Sequence, residues 1–307
     1  MKVIVSAGIS PILRYPNDDF INCFENYGNM FAKFEHEVWY VGLPSVQQNL
    51  EMILSADLWI SEFNTFYIPL YLMILESGKM TGKTILVQHG SYDEMDNYSR
   101  WGLETIRKAD GFIANTVHTK RILSNVVETP VYDDISQPID DRMFSMLNAV
   151  EKKDRLLIGH VGGGDPRRHQ LFAASIFNNY PITIITDSLE YAAKFNFHKD
   201  VEFSATKKDG IEYYTYLASH KYFASVSSIP TLGRDMILAA VSGTVSISSP
   251  YFYQTLLFPS TTAWQFSDFY NIKNIIGQDN SNIQKIALAN ARQHSFNAVY
   301  ERFMAKL

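Results

Sequence analysis

Two doubly wound, Rossmann-like α/β domains in tandem are the fold class that the sequence predicts, and three observations carry this expectation. The chain has 307 residues, more than the roughly 100–200 of one ordinary domain and enough for two of about 150. Short apolar runs alternate with segments of helical periodicity along the whole length. The runs are continuously apolar, as strands of a parallel sheet covered on both faces must be. Two such domains place a ligand in a central cleft faced by the ends of their strands.

In the first half the expected strands are Lys2–Ser6, Glu37–Val41, Asp57–Ser61, Lys83–Gln88, Gly111–Asn115 and Val131–Asp133. Expected helices include Asp18–Phe34, Tyr67–Ser77, Arg100–Lys108 and His118–Val126. Strands separated by such helices imply right-handed βαβ crossovers. Charged runs at Asp140–Arg142 and Glu151–Arg155 bracket a short helical segment and mark the boundary. This gives an N-terminal domain over 1–145 and a C-terminal domain over 146–307. The second series has strands at Leu156–Val161, Ile182–Thr186, Val201–Ser204, Tyr222–Val226 and Thr244–Ser248. A last helix over Ile283–Phe303 closes it, free to pack back on the N-terminal domain.

Composition narrows the classes of function. Hydrophobic residues make up 46% and charged residues 19%, an ordinary globular balance with no low-complexity tract. Net charge is −5, which disfavours a strongly basic nucleic-acid binder but leaves room for a local basic groove. The longest apolar stretch, near Tyr67–Leu75, falls far short of the roughly 20 residues needed to cross a bilayer, so no membrane insertion is expected. Met1-Lys2 leads straight into a strand instead of a signal peptide, and the single Cys23 fits a reducing, cytoplasmic compartment. Cys23 lies at helical spacing from Phe20, Phe24 and Tyr27 and reads as packing. The eight histidines show no metal-ligand spacing, so no metal is assigned; Mg²⁺ accompanying a diphosphate is the only cofactor left open.

The segment from Leu156 to His169 is the most informative. A strand runs into Gly162, Gly163 and Gly164, then Arg167 and Arg168, then an apolar helix from Gln170 to Phe177. Glycines allow close backbone approach to a ligand, a helix start favours anions, and arginines offer paired donors to a diphosphate. The spacing matches neither a dinucleotide fingerprint nor a P-loop. The bland alternative is a tight turn with solvent-facing arginines.

A second run, Ser227 to Ser246, holds a serine-ended strand, a turn through Pro230, Thr231, Leu232 and Gly233, and a small-residue helix stopped by Gly243. Here the sequence resembles the GT-B glycosyltransferases, in which a strand, a glycine-containing acidic turn and a helix ending Glu-Ala-x-Ala-x-Gly hold the donor nucleotide. Gly233, Ala239 and Gly243 fall in register, whereas the pattern's two glutamates fall at Pro230 and Leu238. The resemblance therefore implies nucleoside contacts from Ser227, Thr231, Leu232, Gly233 and Asp235, with Arg234 meeting the diphosphate beside Gly162–Gly164, Arg167 and Arg168. The fold it implies is α/β of GT-B type.

Several stretches together resemble the bacteriophage DNA glucosyltransferases, which glycosylate hydroxymethylated cytosine from UDP-glucose. The glycine–arginine segment is similar to theirs, Pro138-Ile139-Asp140 matches their domain-closing turn, and Lys83–Trp101 looks like the segment carrying their catalytic aspartate. The resemblance implies a UDP-sugar donor, DNA as one acceptor class, and Asp93 as the base. His89, with a free pKa near neutrality, and Glu62, past the third strand, are the second and third candidates. Ser6, Gly8 and Tyr92 are candidates for the acceptor side, and the aromatics of Asn64–Tyr71 and Asp93–Trp101 suit stacking on a base or sugar. The competing readings are a transferase for a cell-envelope glycan or small molecule, a nucleotide-sugar epimerase, and a non-enzymatic two-domain ligand-binding protein. A nucleoside diphosphate at 100 times its dissociation constant should stabilise the protein by about 2.7 kcal/mol. Arg167→Ala should abolish that thermal shift without unfolding the chain; an unchanged shift would move the phosphate site elsewhere.

Overall fold

The computed structural model describes residues 1–8, 13–15, 24–88, 100–159, 169–186, 188–204, 210–225, 234–248, 260–265 and 275–307. The chain forms two compact units, Met1–Asp140 with His294–Leu307, and Asp141–Gln293. The first unit holds strands β1 (Lys2–Ser6), β2 (Leu13–Arg14), β3 (Glu37–Val41), β4 (Leu58–Phe63), β5 (Lys83–Gln88), β6 (Gly111–Ile113) and β7 (Val131–Tyr132). Their order across the sheet is β2-β3-β1-β4-β5-β6-β7. Pairing is parallel from β3 through β7, and β2 lies antiparallel on β3.

Successive strand residues point to opposite faces, and both faces are buried. Val3, Val5, Ile60 and Val87 pack with Tyr27, Phe31 and Phe303 on one face. Ile4, Trp59, Leu86 and Phe112 pack with Tyr71 on the other. Each large side chain so buried contributes roughly 1.5–3 kcal/mol before entropy is counted.

The second unit repeats the plan with β8 (Lys153–Ile158), β9 (Ile182–Ile185), β10 (Val201–Ser204), β11 (His220–Ser225), β12 (Val245–Ser248) and β13 (Trp264–Gln265). Its order is β10-β9-β8-β11-β12-β13, parallel throughout the described pairs. Leu156, Ile158, Ile182, Ile184 and Tyr222 meet Ala173, Ala174 and Phe177 in its core.

Two expectations are corrected. The last helix is not continuous over 283–303: Ser281–Ala291 and Phe296–Met304 are separate helices joined by a 3₁₀ turn at Arg292–His294. Ser295 causes the break, its side chain accepting from the Ala298 N–H as an N-cap. Phe296, Val299 and Phe303 then bury against the first unit's sheet. The chain leaves that unit at Asp140 and returns at His294, so position 145 falls inside the helix Arg142–Asn148. The two crossing points are tied together, Ile139 N–H donating to His294 O at 2.7 Å and Phe296 N–H to Ile139 O at 2.9 Å. Finally, the first helix is seen over Glu25–Lys33, and Cys23 and the expected earlier turns lie outside the described residues.

Gly159 follows β8 at the start of the glycine-rich segment. Its N–H donates to Ala224 O at 2.8 Å, and a Cβ there would sit 2.5 Å from Phe223 Cε2. Only glycine fits this close strand approach. Overpacking of this kind costs on the order of 1–3 kcal/mol. Gly159→Ala should therefore lower the chemical-denaturation midpoint of the second unit, and an unaltered midpoint would show that the Phe223 ring yields freely.

Two of the buried histidines are held as neutral imidazoles. His294 Nδ1–H donates to Ser136 O at 3.0 Å. His220 Nδ1–H donates to Tyr216 O at 2.8 Å, and its Nε2 accepts from the Thr183 hydroxyl at 3.0 Å. Burial pushes each down to about 4 from an ordinary 6.5. Folded pKa values below the unfolded ones mean stability that is fully present above pH 6.5 and is lost progressively as pH falls toward 4. Glu25, raised by burial despite its Arg14 partner, offsets part of the loss. Denaturation midpoints should fall between pH 6.5 and 4.5, in a window set by these two histidines; a flat profile would mean that both charge inside the fold without penalty.

Candidate functional site

In an open parallel sheet the ligand-facing crevice lies outside the C-terminal strand ends, where the strand order reverses. In the first unit that reversal falls between β1 and β4, since β3 lies on the other side of β1. The residues there are Ser6 at the end of β1 with Ala7 and Gly8 after it, and Glu62 and Phe63 at the end of β4 with Asn64 after them. Gly8 N–H donates to Glu62 Oε2 at 2.6 Å, joining the two strand ends directly. The Glu62 carboxylate is buried, at 1% exposure, and its backbone carbonyl accepts from the Tyr71 hydroxyl. A charge-assisted bond from a backbone N–H holds the carboxylate in one orientation.

Beside it Asn64 shapes the turn: its Oδ1 accepts from Phe66 N–H at 3.0 Å, and its own N–H donates to Tyr71 Oη at 3.3 Å. Phe66 projects into solvent with 89% of its surface exposed. At the next strand end, Gln88 Oε1 accepts from Asn115 N–H at 2.7 Å and its carbonyl accepts from Asn115 Nδ2 at 3.2 Å. Gln88 is buried, and its Nε2 has no hydrogen-bond partner among the described residues. It immediately precedes His89, which with Tyr92 and Asp93 lies outside the described residues. Ser6 is fully buried and its hydroxyl accepts from Trp59 Nε1 at 3.0 Å. That contact is internal to the first unit.

In the second unit the order reverses between β8 and β11, which are neighbours through Ile158 and Ala224. The glycine-rich segment continues from β8, and the Ser227–Gly233 segment continues from β11. The two segments singled out by sequence thus leave the C-terminal ends of adjacent, parallel strands in the middle of the sheet. Gly162, Gly163, Gly164, Arg167, Arg168, Ser227, Thr231, Leu232 and Gly233 themselves lie outside the described residues. Where the chain is again described, Gln170 closes the first segment: its Nε2 donates to Gly159 O at 2.9 Å and its Oε1 accepts from the Tyr191 hydroxyl.

Arg234 and Asp235 open the helix Arg234–Ser242. The Arg234 guanidinium carbon lies 4.9 Å from the centre of the Tyr214 ring. Its Nε is buried with no hydrogen-bond partner among the described residues. No carboxylate among those residues forms an ion pair with it. Asp235 instead accepts from the Tyr213 hydroxyl at 3.1 Å. Leu238, at the position matched to the family's second glutamate, is fully buried in the helix's packed face. The tyrosine pair was missed by sequence reading, since Tyr213-Tyr214 is an unremarked dipeptide of the helix Gly210–Ala218. Gln88 and Asn115 were missed in the same way. Among the described residues no three His, Cys, Asp or Glu side chains converge as a metal site would, and no helix is long and apolar enough to cross a membrane.

No protein-family model matches the sequence, and no curated protein sequence matches it. Solved structures match in fold. An α-glucosyltransferase in complex with UDP-glucose and DNA containing an abasic site aligns with a TM-score of 0.64 at 11% identity, over 99% of this chain and 98% of that one. TarM aligns with a TM-score of 0.61 at 14% identity, over 86% of this chain and 57% of TarM. A UDP-forming α,α-trehalose-phosphate synthase from Burkholderia xenovorans gives 0.62 at 8% identity, over 86% of this chain and 76% of the synthase. The likeness at these identities is one of architecture: the chain has the two parallel-sheet units of the GT-B glycosyltransferase fold.

Proposed function

We propose that the protein is a glycosyltransferase that moves a sugar from a UDP-sugar to a hydroxyl, with 5-hydroxymethylpyrimidine in DNA as the acceptor. The observation that carries the donor half is the orphaned, buried Nε of Arg234, at the start of the helix that follows the second sequence motif. A desolvated cationic donor without an acceptor is costly. A phosphate oxygen would satisfy it with a strong, charge-assisted bond. Solved structures of the same fold carry UDP or UDP-glucose, and some carry DNA with a hydroxymethylated base. The first unit offers the matching need of the acceptor, a buried carboxylate at its own switch point.

The chemistry assigned to these residues balances. The bond from the anomeric carbon to the diphosphate oxygen breaks, and its electron pair leaves with the diphosphate. A bond forms from the acceptor oxygen to the anomeric carbon, and the acceptor proton passes to a base. Asp93 is the base of first choice, then His89, then Glu62, whose orientation by Gly8 suits it to receive a proton or a hydrogen bond. Arg234, with Arg167 and Arg168, offsets the charge growing on the leaving diphosphate. Mg²⁺ has no assigned step.

A second reading keeps the donor and changes the acceptor to a glycan or small molecule. It is favoured by the shared fold of a TarM variant solved with α-GlcNAc-glycerol and UDP, and of the trehalose-phosphate synthase. Incubation of the protein with UDP-sugars and hydroxymethylated DNA, followed by mass spectrometry of the nucleosides, separates the two. A glycosylated hydroxymethyl nucleoside is expected, and EDTA should leave its formation in place. Unmodified nucleosides with every donor, alongside hydrolysis or transfer to a glycan, would overturn the DNA reading.

A further inference from the structure

Consecutive residues of one helix grip consecutive residues of the next. Tyr213 and Tyr214 lie on Gly210–Ala218, both almost fully buried, with their rings edge to face at 5.9 Å between centroids. Tyr213 donates its hydroxyl to Asp235, and Tyr214 presents its ring to the Arg234 guanidinium. Arg234 and Asp235 are adjacent and opposite in charge, so the nearest carboxylate to the guanidinium in sequence is its own neighbour. The Tyr213 bond engages that carboxylate elsewhere, and the Tyr214 ring receives the cation without neutralising it. Aromatic faces attract guanidinium groups while leaving their N–H edges available. The Nε edge is buried and unpartnered among the described residues.

We infer that Tyr213 and Tyr214 are positioning residues that hold Arg234 as an uncompensated cation for the donor's diphosphate. The inference rests on the donor reading given above. Tyr214 acts by fixing the plane of the guanidinium, and Tyr213 acts by keeping Asp235 from capturing it. Neither tyrosine needs to touch the ligand. Their removal should therefore weaken recognition of phosphate and leave recognition of the nucleoside intact, which loss of the fold or of the nucleoside pocket would not do.

The test is calorimetric titration of the full chain with UDP and, separately, with uridine. Tyr214→Leu should weaken UDP about fivefold, a typical worth of one cation–π contact, while uridine affinity stays within twofold. Tyr214→Phe, which keeps the ring face, should restore most of the UDP affinity. Unchanged UDP affinity in Tyr214→Leu, or equal losses for UDP and uridine, would overturn the inference. Should leucine at 214 prevent folding, Tyr213→Phe carries the test, since it deletes only the hydroxyl to Asp235, and an unchanged UDP affinity there also overturns it. Arg234→Gln separates this from the donor reading. If Arg234→Gln weakens UDP and the tyrosine variants do not, the phosphate role of Arg234 stands and the positioning role falls. If wild type binds no UDP at all, the donor reading itself falls.

Discussion

Each sheet must be covered on both faces, and the rest of the molecule follows from that constraint. A parallel strand pair cannot close by a tight turn, so the chain crosses over through helices and returns to the same edge. Val3, Ile4 and Val5 therefore feed two different cores in turn. Because β1 and β8 sit inside their sheets, with later strands added on either side, each sheet has one place where the chain's direction of growth reverses. Backbone groups at these strand ends have no next strand to pair with along the chain. Glu62 meets one such group, the Gly8 N–H, and so stands at the reversal of the first sheet.

The second sheet uses the same geometry with the opposite charge. Close approach at Gly159, where Phe223 leaves no space for a side chain, brings the start of one segment beside the start of the other. Gln170 and Tyr191 then fasten the far side of the first segment. On the second segment's far side stands Arg234, its Nε buried and its guanidinium against an aromatic ring.

Much of this architecture was legible in the residues. Strands such as Lys2–Ser6, Glu37–Val41 and Lys83–Gln88 are read directly because their apolar runs are long and bounded by polar turns. The strands Leu13–Arg14 and Trp264–Gln265 were not read from the residues, although the equally short Val131–Tyr132 was; they owe their place to neighbouring strands. The break at Ser295 was missed because apolar spacing continues on either side; a helix cap competes with periodicity only when packing draws the next turn elsewhere. At the strand ends and helix starts, Gly8, Glu62, Arg234 and Asp235 stood out in the residues, but their contacts did not. Ser6 shows the limit of that signal, because a hydroxyl at a strand end serves Trp59 as readily as a ligand.

The sequence by itself determined the number of sheets, their parallel character and the two segments on which donor chemistry was expected. These depend on local composition: apolar runs, helical spacing, glycines and arginines placed together. The tertiary structure alone decided which groups are desolvated and which contacts they make. It buried Leu238, tied Asp235 to Tyr213, set Arg234 over Tyr214 and returned the last helix to the first sheet. Those outcomes join residues on different helices and strands, and no local pattern encodes a partner that only folding brings within reach.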